Sequence, residues 1–149
     1  MQHKHTILIV EDSDEDFYAT ERILKKFTVG LVERCSNATE VMPRLEGRNT
    51  TGAISAEPSL ILLDLNLPGK RDGRSILTDL KNDNRYRCIP VVIMTTSSNP
   101  SDVHHCFNHG AAGYIVKPVN FDKFVQSVEC LVRYWFETVT LPSKVEENA

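Results

Sequence analysis

Two kinds of apolar patterning alternate along this chain of 149 residues. Residues 6–10, 60–63, 91–94 and 113–116 are short apolar runs bounded by turn formers. The first two read as strands buried on both faces, and the other two as further strands. Residues 31–35 form a more polar run, which suits a strand nearer an edge. Between the runs the spacing becomes helical. Phe17, Leu24 and Phe27 mark a helix over residues 14–27, with Ser13 as N-cap. Asn37 caps a second helix, which carries Val41 and Leu45 and ends near Gly47. Ile76, Leu77 and Leu80 mark a third. A fourth begins near Pro100, shows Val103 and Phe107, and stops at His109-Gly110, where glycine suits a helix end. The last begins near Asn120 and places Phe121, Phe124, Val125, Val128, Leu131, Val132 and Trp135 on one stripe.

Five strands alternating with five helices predict a single α/β domain, a parallel sheet covered on both faces. The domain takes residues 1–137, and residues 138–149 form a short tail, held where Val139, Leu141 and Pro142 dock. Residues 47–58 are a polar connecting loop. Composition adds exclusions. The 41% apolar and 25% charged fractions are those of an ordinary globular domain, and a net charge of -3 makes no electrostatic case for nucleic acid. No apolar run approaches the ~20 residues of a membrane span. The opening Met1-Gln2-His3-Lys4-His5 leads directly into the first strand and leaves no room for a signal peptide. Cys35, Cys88, Cys106 and Cys130 are scattered without a Cys-x-x-Cys pair, so reduced thiols and a cytoplasmic location are expected.

The candidate chemistry sits at strand ends. Glu11-Asp12 follows the first strand and Asp64 the third; side by side in a parallel sheet, the two strands bring these carboxylates together at the edge where open α/β sheets bind ligands. Crowded carboxylates repel unless a cation or proton offsets them. The simplest reading is a magnesium-binding acidic pocket with a reactive aspartate at its centre. Taken singly, each residue has a plainer reading: N-capping for Glu11-Asp12, a turn for Asp64 or Lys117-Pro118, packing for Tyr114. Their coincidence along one sheet edge is what argues for function. His105 and His109 have the i,i+4 spacing of metal ligands. With His104, they are read more simply as a solvated helix face.

The set Glu11-Asp12, Asp64, Asn66, Pro68, Thr95, Tyr114 and Lys117-Pro118 resembles the receiver domains of two-component response regulators, over about residues 5 to 135. The resemblance implies a flavodoxin-like (βα)5 doubly wound fold with strand order 2-1-3-4-5. It implies that Asp64 accepts a phosphoryl group from a histidine kinase, in a phosphotransfer and slow dephosphorylation that the chain catalyses itself. Asp12, Asp64 and the Asn66 carbonyl would hold Mg2+, with Glu11 acting through water. Lys117 would supply positive charge, Thr95 a hydroxyl to the phosphoryl group, and Tyr114 the aromatic partner of a Thr95 switch. Two rivals fit less well. A phosphatase of the haloacid dehalogenase kind needs an Asp at the position of Asn66, and a flavodoxin-like cofactor binder needs a hydroxyl- or glycine-rich loop in place of Glu11-Asp12-Ser13-Asp14. An unphosphorylated interaction module on the same fold is a third alternative.

A narrower resemblance joins Leu63-Asp64-Leu65-Asn66-Leu67-Pro68, the turn before Asp72-Gly73, the stretch from Ile89 to Ser97 and the ending from Tyr134 to Pro142. These are similar to stand-alone receivers that serve cyanobacterial phytochrome histidine kinases, which implies such a kinase as partner. The surplus of apolar side chains past the last helix, with Trp135 and Phe136 as anchors, predicts a homodimer. The alternative is that the tail folds back and buries them within one chain.

Overall fold

The computed structural model describes residues 5–27, 29–47 and 57–142. Most of the 47–58 loop and the last seven residues of the tail lie outside them. The elements are β1 (His5–Val10), α1 (Asp14–Leu24), β2 (Val29–Cys35), a 3-10 turn (Ala38–Glu40) running into α2 (Val41–Gly47), β3 (Leu60–Leu63), α3 (Gly73–Asn82), β4 (Val91–Thr95), α4 (Pro100–Asn108), β5 (Gly113–Val116) and α5 (Phe121–Val132). Their order in the sheet is β2-β1-β3-β4-β5 with every pairing parallel. This is the flavodoxin-like arrangement that the sequence resemblance implies.

Alternation along the central strands sorts the core into two layers. Leu8, Val10, Ile61, Leu63, Val91 and Ile93 face α2, α3 and α4 through Val41, Leu45, Ile76, Leu77, Leu80 and Cys106. Ile7, Ile9, Leu60, Leu62, Val92 and Met94 face α1 and α5 through Phe17, Ile23, Leu24, Phe124, Val128, Leu131 and Val132. Because successive strand side chains point to opposite faces, a strand buried on both is apolar along nearly its whole length; the buried polar exceptions are Thr6, near the start of β1, and Thr95, at the end of β4.

Helix ends follow local chemistry. The Ser13, Asn37, Asp72, Asn99 and Asn120 side chains each accept from a backbone N–H in the turn that follows. Pro100 opens α4, where its missing N–H costs nothing. Two apolar positions differ from the sequence expectation. Phe107 is 52% exposed, and α4 turns Cys106 to the core instead. Phe121, at the first position of α5, is 61% exposed, and Phe124 one turn on is the first of the helix to enter the core. Past Val132 the helix widens into a π-helical turn (Arg133–Thr138). That turn sets Trp135 and Phe136, both half-buried, against the α1/α5 core layer. Phe136 also stacks on His5 with ring centroids 4.7 Å apart. Own-chain cover therefore accounts for part of the apolar surplus. Among the described residues no helix is long and apolar enough to cross a membrane, and all four cysteines are unpaired.

Gly73 ties α3 to the sheet edge. A Cβ there would lie 2.1 Å from the Asp64 carbonyl oxygen and 2.8 Å from the Leu65 Cα. Backbone cannot yield as a flexible side chain can. Gly73→Ala is expected to destabilise the fold by about 3 kcal/mol or more. Gly69, with φ +97° and open space around it, should cost only about 1–2 kcal/mol as alanine. Urea unfolding midpoints of the two variants check the contrast; equal, small shifts would mean that α3 does not rest on the Asp64 backbone.

Candidate functional site

Strand register assembles the site. Val10 pairs with Leu63 and Thr95 with Val116, so the residues after each strand emerge at one edge. The ladder continues one step past the strands: Glu11 N donates to the Cys35 carbonyl at 3.0 Å, Asp64 N to that of Val10 at 3.1 Å, and Lys117 N to that of Thr95 at 2.7 Å. Glu11 and Asp64 thereby become buried, while Asp12, one residue on, is exposed. Arg34 on β2 pins the β1–α1 turn. Its Nε donates to the Glu11 carbonyl at 3.0 Å and its guanidinium to that of Asp12 at 3.2 Å; it also pairs with Asp14 at 2.7 Å and lies over the Phe17 ring.

Carboxylate oxygens of Glu11, Asp12 and Asp64 all lie within 4.8 Å of one another. Lys117 Nζ, almost wholly buried at 7% side-chain exposure, donates to Glu11, to Asp64 Oδ2 at 2.9 Å and to Asp16 Oδ2 at 2.9 Å. Burial disfavours the Lys117 ammonium, but the carboxylates of Glu11, Asp16 and Asp64 outweigh it and hold its proton on well above the ordinary lysine range. Burial pushes the Glu11 carboxyl up to about 7; Lys117 opposes the shift and the Asp64 charge adds to it. Burial also acts against the Asp64 carboxylate. Its bonds from Lys117, from Glu11 and from the Asn66 N–H at 3.1 Å prevail, so its pKa lies below the ordinary value. The two carboxyls are thus pushed apart, Asp64 toward the ionised form and Glu11 toward the protonated one. An all-oxygen set with one reluctant carboxylate suits a small divalent cation, whose charge would relieve the crowding.

Thr95 is fully buried at the end of β4, and the Asn66 Nδ2 lies 3.5 Å from its Oγ1. Tyr114 does not touch the acids. It packs half-buried against the α2/α3/α4 core layer and donates its hydroxyl to the Ser97 carbonyl at 2.9 Å. Ser97 Oγ in turn donates to Asp102 Oδ2 at 2.6 Å, and Arg74 binds Asp102 Oδ1 at 2.7 Å and Asp72 at 3.0 Å. A polar chain therefore runs from the α3 cap, through α4 and the β4–α4 loop, to β5. Trp135 and Phe136 stand apart from the site, Phe136 against His5 at the start of β1 and Trp135 against Tyr134.

Among the described residues, the three acids are the one group of metal-ligating side chains. His105 and His109 stack on each other, and the His109 Nδ1 donates to the His105 carbonyl at 2.8 Å. Asp16, Arg34, Ser97 and Asp102 are site partners that the sequence reading lacks. A signal existed only for Asp16, an acid one helical turn beyond Asp12.

The sequence matches the response regulator receiver domain family over residues 7–129. It is 36% identical, over 140 residues and 92% of each chain, to the response regulator Rcp1 of the cyanobacterium Synechocystis. The fold is similar to that of the phosphorylated cyanobacterial phytochrome response regulator RcpA, at TM-score 0.87 and 36% identity over 95% of this chain and 100% of that one. It is also similar to the Mn(2+)-bound form of Rcp1, at TM-score 0.84 and 35% identity over 93% and 99% of the two chains.

The Glu11 carboxyl has a consequence for cation binding. With its pKa raised from 4.5 to about 7, the native state between those values holds a proton that the unfolded chain has released. This group's contribution to stability therefore falls as pH rises through that interval. A nearby cation favours the ionised form of the same carboxyl, so affinity for magnesium or manganese is expected to climb between pH 6 and 8 with proton release. Calorimetry in two buffers of different ionisation enthalpy measures that release. Glu11→Gln should abolish it, and a pH-independent affinity in the wild type would contradict this assignment.

Proposed function

Because the chain belongs to the response regulator receiver domain family and serves two-component signalling, we propose that it accepts a phosphoryl group on Asp64 from a histidine kinase. The observation that carries this reading is Asp64 itself: an aspartate held ionised, with Oδ2 on Lys117 and Oδ1 on a backbone N–H. An Asp64 carboxylate oxygen attacks the phosphorus of the kinase phosphohistidine; the P–N bond breaks, the imidazole departs with the electron pair, and an acyl phosphate remains. Lys117 presents its charge to the incoming phosphoryl oxygens, and the Thr95 hydroxyl donates to one of them.

Asp12 and Asp64 would hold Mg2+ directly with the Asn66 carbonyl, and Glu11 through water. When bound, the ion neutralises phosphoryl charge and aligns donor with acceptor. The same machinery supports slow loss of the phosphoryl group to water. Thr95 moving toward that group would carry Ser97 with it, and with Ser97 the bond to Tyr114. That linkage is the proposed switch.

The kinase is proposed to be of the phytochrome type. Support comes from the likeness to a protein described as a cyanobacterial phytochrome response regulator, together with the Tyr134-to-Pro142 ending, which resembles that subgroup. The working unit in this reading is residues 1–137 with 138–149 as its tail, and the location is cytoplasmic, which four unpaired cysteines suit.

A homodimer completes the proposal. Tyr134 is 52% exposed and packs edge-on against Trp135, with ring centroids 5.2 Å apart. Both line an open groove of about 730 Å³ between β5 and α5, together with Tyr114 and Leu131. The same face of a second copy is its proposed occupant, with Trp135 and the neighbouring Phe136 in or beside the contact.

Asp64→Asn should eliminate labelling by acetyl phosphate or by a phosphorylated kinase, whereas the wild-type product should be alkali-labile. Undiminished labelling of the variant would move the phosphoacceptor elsewhere. For the dimer, sedimentation at micromolar concentration should give twice the chain mass, and Tyr134→Ala with Trp135→Ala should weaken the association. A wild type that stays monomeric with and without phosphorylation would leave Trp135 and Phe136 as own-chain cover.

A further inference from the structure

Lys117 has one partner that the phosphotransfer reading leaves without a role. An ammonium carries three hydrogens, and three carboxylates stand around this one: Glu11, Asp64 and Asp16. In the reading above, on which this inference rests, Asp64 receives the phosphoryl group and Glu11 turns to the cation. Asp16 is committed to neither, since it lies outside the group of mutually close carboxylates formed by Glu11, Asp12 and Asp64.

The Asp16 backbone is held from both sides. Its N–H donates to Ser13 Oγ at 3.2 Å, and its carbonyl accepts from the buried Thr20 hydroxyl at 2.8 Å. Its carboxylate, 36% exposed at the rim, therefore approaches Lys117 from a fixed turn of α1, whereas the Lys117 head sits on a flexible four-carbon stem. We propose that Asp16 is a positioning residue. It keeps the Lys117 ammonium at the reacting edge while Asp64 and Glu11 are engaged elsewhere. Asp16 acts only through Lys117 and touches no reacting atom.

Two measurements test this. In the metal-free, unphosphorylated protein labelled with 15N-lysine, a held Lys117 ammonium should give its own proton–nitrogen correlation, assigned by its loss in Lys117→Ala. That signal should broaden away in Asp16→Ala and return in Asp16→Glu. Labelling by acetyl phosphate with magnesium should slow about three- to tenfold in Asp16→Ala and recover in Asp16→Glu. In a Lys117→Ala background, removing Asp16 should change nothing further. Asp16→Asn, which keeps the side-chain shape, serves if the alanine variant fails to fold. A Lys117 ammonium in free exchange in the wild type, or one indifferent to loss of Asp16, would overturn the proposal. An equal slowing in the Lys117→Ala background would overturn it as well. A wild type that takes no label refutes the phosphotransfer reading instead, while the lysine signal still decides the Asp16 contact.

Discussion

One buried ammonium makes this sheet edge possible. Glu11 and Asp64 are driven together by the pairing of β1 with β3, and two carboxylates at such range cannot both ionise cheaply. Lys117, delivered from the far end of β5, meets both, and burial together with the Asp64 charge raises the Glu11 pKa to about 7. A buried ion set of this kind is weak evidence for stability, because desolvation consumes most of the Coulombic gain. Its value is a poised site: one aspartate favoured in its ionised form, one buried positive charge beside it, and a crowding that a divalent cation would relieve.

The cluster is positioned first by backbone ladders that run past the strand ends. Glu11, Asp64 and Lys117 each donate an N–H to the neighbouring strand, so their side chains share one origin on the sheet. Close packing reinforces this from below, where Gly73 lets α3 sit against the Asp64 carbonyl. Arg34 does the same from the β2 side by clamping the carbonyls of Glu11 and Asp12. The acids are rigid because their backbones are, and Lys117 is the long, adjustable member.

The second polar system, Asp72–Arg74–Asp102–Ser97–Tyr114, connects the loops around the site. Its members come from α3, α4, the β4–α4 loop and β5. Ser97, two residues after Thr95, bonds both Asp102 and Tyr114, so the proposed displacement of Thr95 would reach both through it. The linkage offers a physical route from the acid cluster to the β5–α5 groove, which Tyr114 also lines.

Much of this was legible in the sequence. Continuous apolar runs determined the buried strands, because a strand covered on both faces has room for few polar positions; the helical stripes and capping residues determined most helices. Glu11, Asp12, Asp64, Thr95 and Lys117 could be read from their places at strand ends, since parallel strands necessarily deliver their carboxyl ends to one edge. Tertiary structure alone decided the partners. The contact of Asp16 with Lys117 spans 101 positions and that of Arg74 with Asp102 spans 28, and no local periodicity encodes such distances. It also decided that Cys106 rather than Phe107 faces the core, and that a π-helical turn brings Trp135 and Phe136 onto their own chain. Helical spacing specifies a stripe, but the direction the stripe faces, and what covers it, depends on how each helix lies on the sheet.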